Sequence, residues 1–320
     1  RLSKRPQFIF GGQVSACTSS AMAAIATINP EPENLTILPQ TSIICGPLVQ
    51  PLKIIGGKYV TGSKTTILQE QFETFPSPLF GPTGALVTAS SSSTYYSQGN
   101  RAVLLTYSSA SPTSLTTNNN AYAMTSNFDM SGYGTAELSF SHICALEKED
   151  NAFDAGYVQY SGDGGVTWNT FAASDYSGQA TLMNTVNGFP VNGTIFSTRS
   201  YEDWAAVFTG TAVTPGIGPS ASLWKTETIR IPFTAMTSQF RLRFVITNDI
   251  SFSYFGWLID NIQIKGYTAT QAPVVWTPNG AGSGLFTDAL ATIVYPGTPI
   301  LTVYAKPSVQ TAYYATATGP

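Results

Sequence analysis

His142 is the single histidine of this 320-residue chain. Any Ser-His-Asp or Cys-His nucleophilic arrangement must therefore be built on it. In Leu138–Cys144, Leu138, Phe140 and His142 alternate with Ser139 and Ser141, which puts the imidazole on one strand face with Phe140 and Cys144. That setting suits a packed, hydrogen-bonded histidine rather than a base. Cys144 beside it reads as a small buried apolar residue. Glu147, Glu149, Asp150 and Asp154 crowd one loop, with Lys148 among them. Paired carboxylates hydrolyse glycosides when held about 5–9.5 Å apart across a cleft, and calcium gathers several oxygen ligands. Four acids in one loop, with no opposing partner, read more simply as a solvated turn.

Two further constellations depend on the fold. In a jelly roll the first and last strands run side by side, so Glu73 and Asp260 should converge at one end of the sandwich. Buried carboxylates need hydrogen bonds or a cation. Structural calcium and loop amides are the two readings for that pair, and the ion would be structural rather than catalytic. Tyr201, Trp204, Phe252, Tyr254 and Phe255 offer rings that stack on sugars when exposed and fill a core when not. Tyr201 and Trp204 are the candidate ligand-binding residues. Gly280–Gly284 spells Gly-x-Gly-x-Gly, but no Lys-Ser/Thr follows and no helix opens there, which excludes a phosphate loop.

The elements that position these residues are strands. Ile229, Ile231 and Phe233 alternate with Thr228, Arg230 and Pro232. Phe240, Leu242, Phe244 and Ile246 alternate with Arg241, Arg243 and Val245. Period two marks half-buried strands. Gly162-Asp163-Gly164-Gly165 between Tyr157–Ser161 and Val166–Phe171 is a hairpin signal, because Gly and Asp tolerate positive φ. The fold class is all-β, built of sandwiches; the resemblances quoted below imply Ig-like sandwich repeats with an inserted jelly-roll sandwich.

Four pieces follow. Residues 1–33 end at Pro30-Glu31-Pro32, a linker, and read as the last strands of a preceding repeat. Residues 34–56 supply three short strands, Leu35–Leu38, Ser42–Cys45 and Leu52–Ile55. Residues 57–268 form a large central unit. Residues 269–320 supply Val274–Trp276, Ala291–Val294, Leu301–Ala305 and Ala312–Thr318. Residues 34–56 and 269–320 are each too small for a sandwich core. Together they reach about seven strands, an Ig-like number, with Trp276 as the core ring and Tyr313 or Tyr314 at a tyrosine corner.

Only 10% of residues are charged and 43% are apolar, against an average of about 25% charged. Hydroxyl- and amide-covered β surfaces of this kind are common in secreted and cell-surface proteins. A net charge of −3 leaves no electrostatic footprint for nucleic acid. No apolar run approaches the ~20 residues of a membrane span. No signal peptide is visible in Arg1–Phe10, so the chain reads as a piece of something longer. Three cysteines, Cys17, Cys45 and Cys144, leave an odd thiol or a partner outside the chain.

"LTILPQTSIICGPLVQPLKIIGG" and "VVWTPNGAGSGLFTDALATIVYPGTPILTVYAKPSVQTAYYATAT" resemble the two halves of Ig-like repeats in large surface proteins of Bacteroidetes, especially gliding flavobacteria. "QEQFETFPSP", "GYVQYSGDGGVTWNTF", "FRLRFVITND" and "FGWLIDNIQIKGY" resemble MAM-like or cleaved-adhesin jelly rolls. The chain departs from that pattern at Tyr160-Ser161-Gly162-Asp163 and in an insertion-like stretch, Met183–Ser222. The resemblance implies type IX export, gliding-motility or adhesin roles, neighbouring Ig-like repeats as partners and calcium as a structural ion. It also implies that Cys17 and Cys45 find partners outside the chain rather than each other. The functional expectation is a non-enzymatic cell-surface adhesin or stalk segment, extracellular or on the outer-membrane surface, displaying the jelly roll to surface glycans or another ligand. The alternative is a carbohydrate-binding module of a secreted polysaccharide-degrading enzyme. An exposed aromatic platform favours the alternative, and a core-buried Tyr201 and Trp204 weakens it.

Overall fold

A computed structural model describes residues 20–29, 35–39, 43–44, 48–83, 87–107, 121–146, 154–182, 194–209, 218–247, 255–309 and 311–318. Cys17, Cys45, Glu147, Glu149, Asp150, Phe252 and Tyr254 lie outside them. The first ten strands are β1 (Ser20–Asn29), β2 (Thr36–Leu38), β3 (Ile43–Ile44), β4 (Gln50–Ile55), β5 (Lys58–Glu70), β6 (Phe80–Thr83), β7 (Val87–Ser92), β8 (Ala102–Tyr107), β9 (Ala121–Met124) and β10 (Tyr133–Ala145). They are followed by β11 (Ala155–Ser161), β12 (Asn169–Thr170), β13 (Ile195–Phe196), β14 (Lys225–Ile231), β15 (Arg241–Thr247), β16 (Gly256–Gln271), β17 (Val274–Thr277), β18 (Leu285–Phe286), β19 (Thr302–Ala305) and β20 (Thr311–Thr318). One short helix, α1 (Glu202–Val207), interrupts them.

The chain divides into two compact units. Unit 1 takes Arg1–Gly62 with Thr268–Pro320, and unit 2 takes Ser63–Tyr267. Unit 1 is a sandwich of two four-stranded sheets, ordered β17-β20-β1-β3 and β18-β19-β4-β2. β4 and β19 are far apart in sequence and pair antiparallel, with Leu52 opposite Val303. The core gathers Ile37, Leu52, Ile54, Val274, Trp276, Val303 and Tyr313. Trp276 Nε1 donates to Ile300 O at 2.9 Å. The Tyr313 hydroxyl donates to Ser283 O at 3.0 Å, so each buried ring meets a carbonyl at its polar end. β1, which the sequence assigns to a preceding repeat, pairs in parallel with β20 from Met22↔Thr311 to Asn29↔Thr318. It thereby satisfies a row of backbone groups on β20 that would otherwise form an edge.

Ala291–Val294 does not form the expected strand. Asp288 accepts from the N–H groups of Thr292 and Ile293, at 3.0 and 2.6 Å, and Ala291 adopts a φ of 53°. The Asp side chain turns the backbone there before a ladder can form. Leu285–Phe286 supplies the short strand instead.

Unit 2 is a jelly-roll sandwich of two six-stranded sheets. One runs β14-β10-β16-β8-β7 with β5 beside β16; the other runs β12-β11-β15-β9-β6 with β13 beside β11. Inward rings from both sheets interdigitate. Phe140 and Trp257, from the first sheet, lie 5.2 and 5.7 Å from Phe244 of the second. The hairpin signal at residues 162–165 is real, but its ladder closes later than alternation suggests: Tyr160 pairs with Asn169 and Gln159 with Thr170. Side chains tie off the longer turn. Ser161 Oγ accepts from the N–H groups of Asp163 and Gly165, at 3.2 and 2.8 Å. Asp163 accepts from Thr167 N and Oγ1, at 2.9 and 2.6 Å. Gly164 and Gly165 carry φ of 78° and 93°, which side chains rarely adopt.

Candidate functional site

The chemistry-bearing residues fall into three places in unit 2. The first is a sealed polar nest. β10 and β14 pair with Phe140 opposite Glu227 and His142 opposite Lys225, so Glu227 is a diagonal neighbour of His142. Both are fully buried. Trp257 Nε1 donates to His142 Nδ1 at 3.1 Å, which leaves the ring proton on Nε2. Nε2 stands 3.8 Å from Glu227 Oε1. The Tyr201 hydroxyl donates to that same oxygen. Phe196, Phe140 and Trp204 surround the imidazole at centroid distances of 4.6, 5.0 and 5.1 Å.

Burial holds His142 below its ordinary pKa of 6.5, and the adjacent Glu227 only partly opposes this. A neutral, enclosed imidazole cannot reach a substrate, so it serves no hydrolytic triad. Cys144 is also buried, with its thiol raised by desolvation and directed at Phe196 O, 3.5 Å away.

A pH dependence follows from this depressed value. The unfolded chain takes up a proton on His142 near pH 6.5 while the folded chain resists it. Stability from this group is therefore full above pH 6.5 and is lost as pH falls below it. In urea titrations the unit 2 midpoint should fall between pH 7 and pH 5. His142→Gln should have a shallower slope over that interval, and an unchanged slope would exclude His142 as its source.

Glu227 was not singled out from sequence, yet a signal exists. Carrying the alternation of Ile229 and Ile231 back by one step puts Glu227 on the core face, which the burial of all three residues matches.

Of the candidate sugar-stacking rings, Trp204 belongs to this interior. Trp204 is fully buried, and its Nε1 donates to Leu223 O at 2.6 Å. Tyr201 packs on it at 4.6 Å and spends its hydroxyl on Glu227. Trp204 leaves no open face for a sugar, because α1 lays it into the core, and the half-buried Tyr201 carries Lys225 Nζ 5.2 Å from its ring centroid. Phe255 meets Tyr95 edge-on at 5.3 Å. Asp154, of the acidic cluster, is buried.

The second place is the clasp formed by Glu73 and Asp260. Both carboxylates grip residues 97–100. Asp260 Oδ2 accepts from Ser97 N, Ser97 Oγ and Gln98 N at 2.8, 3.0 and 2.9 Å, while Oδ1 accepts from Asn261 N at 2.6 Å. Glu73 Oε1 accepts from Asn100 N at 2.7 Å. Gly99, at φ 70°, passes so close that a Cβ there would fall 2.0 Å from that oxygen. Burial raises the Asp260 pKa while these donors pull it down. Three of these donors meet Oδ2 and one meets Oδ1, so loop amides and a hydroxyl stabilise the buried carboxylate. Among the described residues no group of three or more His, Cys, Asp or Glu side chains gathers around one point. The arrangement fits the loop-amide reading of the pair.

The third place is open. A groove of about 320 Å³ lies beside the 161–169 turn, where that turn faces residues 234–235. Tyr160, Asp163, Thr167, Asn169 and Thr234 line it. Thr237 Oγ1 donates to Gly162 O at 2.6 Å and pins the two walls together. Tyr160 is backed by Phe171 at 4.8 Å. Its Thr167 and Ser161 hydrogen bonds hold the Asp163 carboxyl down at about 2. On the neighbouring surface Arg243 caps Trp168 at 4.3 Å and binds Gln159 Oε1 through Nε and Nη2. The groove therefore offers hydroxyls, an amide, one anion and one supported aromatic ring. That set can donate and accept hydrogen bonds and offer one ring contact. No residue of the groove was chosen from sequence, although the turn motif carrying Asp163 was visible there.

Among the described residues no helix is long and apolar enough to cross a membrane. A family model described as Reelin subrepeat B matches residues 105–265. Among solved structures, the CBM22-1 xylan-binding domain from Paenibacillus barcinonensis Xyn10C is similar at 10% identity and a TM-score of 0.36, over 66% of this chain and 99% of that chain. A likeness that loose assigns no ligand. No curated protein matches. Nothing in these matches speaks for flavobacterial gliding motility or type IX export.

Proposed function

The chain belongs, through residues 105–265, to the Reelin subrepeat B family, and from that footing we propose that it is a non-catalytic extracellular binding module whose ligand is a carbohydrate. The observation that carries this reading is the groove beside the 161–169 turn, with its hydroxyl, amide and aromatic lining. Small-ligand sites are concave and place a few polar groups around apolar surface. The volume falls at the lower end of the usual range of about 300–1,000 Å³, enough for a short stretch of sugar chain. Against an enzyme stands the enclosure of the chain's one imidazole among Trp257, Trp204 and Phe196. The adhesin role belongs to the same proposal: unit 1 supplies the sandwich repeat of a longer surface protein, and unit 2 carries the binding groove.

The test is an affinity measurement with the intact chain on a panel of soluble polysaccharides and oligosaccharides. Binding is expected, and Tyr160→Ala should weaken it by about tenfold or more, the equivalent of one lost ring contact or hydrogen bond. A folded protein that binds no member of the panel, or a Tyr160→Ala variant that binds as well as the original, would reject the groove as a glycan site.

A further inference from the structure

Resting on that carbohydrate reading, we infer that the groove is selective by charge: it favours neutral or amino sugars over uronic-acid chains. The inference starts from the side chains that line it. Asp163 is the one charged residue among them; Tyr160, Thr167, Asn169 and Thr234 are neutral, and no lysine or arginine contributes to the lining. Arg243 stacks on Trp168 at 4.3 Å, and Arg241, at the start of β15, is engaged elsewhere. Its Nη2 donates to Thr125 O at 2.9 Å, and its side chain packs against Gly165 rather than into the groove.

The charge on Asp163 is fixed by the turn that holds it. Ser161 Oγ donates to Oδ1 at 2.7 Å, Thr167 N donates to the same oxygen, and Thr167 Oγ1 donates to Oδ2. All of these bonds are made to the ionised form. The carboxylate cannot escape repulsion by taking up a proton, as an unsupported acid beside a uronate would. Because the turn's own geometry requires the charge, the selectivity is built into the element that shapes the groove.

The size of the effect follows from Coulomb's law. A uronate a few ångströms from Asp163, in a wet groove, should bind about five- to tenfold more weakly than its neutral counterpart at low salt. The gap should shrink with added salt, since the screening length falls from about 30 Å at 0.01 M to about 3 Å at 1 M. A gap caused by shape would not respond to salt.

The experiment uses the intact chain and oligosaccharides of matched length: neutral hexoses and pentoses, a 2-amino series and a uronic-acid series. The neutral-to-uronate affinity ratio should be about five to ten at 0.01 M salt and approach one at 1 M salt. In Asp163→Asn, whose side chain can still accept from Thr167 N, the low-salt ratio should drop toward one whatever the absolute affinities. The salt titration of the unsubstituted protein makes the same test if the substitution loosens the turn. Uronates binding as well as neutral chains, or a ratio indifferent to salt, would overturn the selectivity while leaving the glycan reading in place. Failure to bind any series would overturn both.

Discussion

Glu227→Ala is expected to lower the stability of unit 2 by about 1–3 kcal/mol, the usual cost of leaving a buried hydrogen-bonding group without its partner. The variant leaves the Tyr201 hydroxyl without its acceptor and removes the carboxylate 3.8 Å from His142 Nε2, in an interior where neither group can turn to water. For a unit of this size the melting temperature should fall by roughly 2–12 °C. Glu227→Gln keeps an acceptor for Tyr201 and should cost less than the alanine variant. The contrast is Lys64 with Glu137, an ion pair whose side chains are 33% and 46% exposed. Water screens that pair, and Glu137→Ala should change stability by no more than about 1 kcal/mol. Denaturant titrations of the two alanine variants side by side check the point. Equal costs would mean that the buried nest contributes no more than a surface pair.

Trp276→Ala should cost unit 1 about 3–5 kcal/mol, as is usual for truncating a fully buried large ring. The ring is buried in the core cluster shared by Ile37, Leu52, Ile54, Val303 and Tyr313, and its Nε1 bond to Ile300 O is lost with it. Because β4 and β19 pair across this core, the damage should not stay local. Amide exchange should accelerate together in residues 50–55 and 302–305, although some 250 positions of sequence separate them. Protection retained in 50–55 while 302–305 opens would show that the two segments do not rely on one core.

Alternation made the all-β class legible, because period two is a property of each strand alone and needs no partner. The same local rule placed His142, Phe140 and Cys144 inward, and extended by one step it would have placed Glu227 there as well. The Gly162–Gly165 turn was legible for a similar reason: its chemistry lies within a few residues. The rule failed where a side chain outcompeted the ladder, as at Asp288, whose carboxylate takes the amides that a strand over 291–294 would need.

Aromatic composition could not say which rings face water. Tyr201 and Trp204 have the right chemistry for stacking on sugars, but exposure is decided by what packs above and below, and here that is His142, Leu223 and Glu227. Nor could sequence choose between calcium and amides for Glu73 and Asp260. That choice rests on where residues 97–100 lie, 163 positions from Asp260 in the case of Ser97. What the sequence determined by itself was the strand pattern, the scarcity of charge and the single histidine, all of which are local or additive. Tertiary structure alone decided the partners of that histidine, which come from 115 positions away in Trp257 and from a strand beyond a long insertion in Glu227. It also decided the groove, whose two walls are unremarkable apart and form a concave polar surface only when Thr237 fastens one to the other.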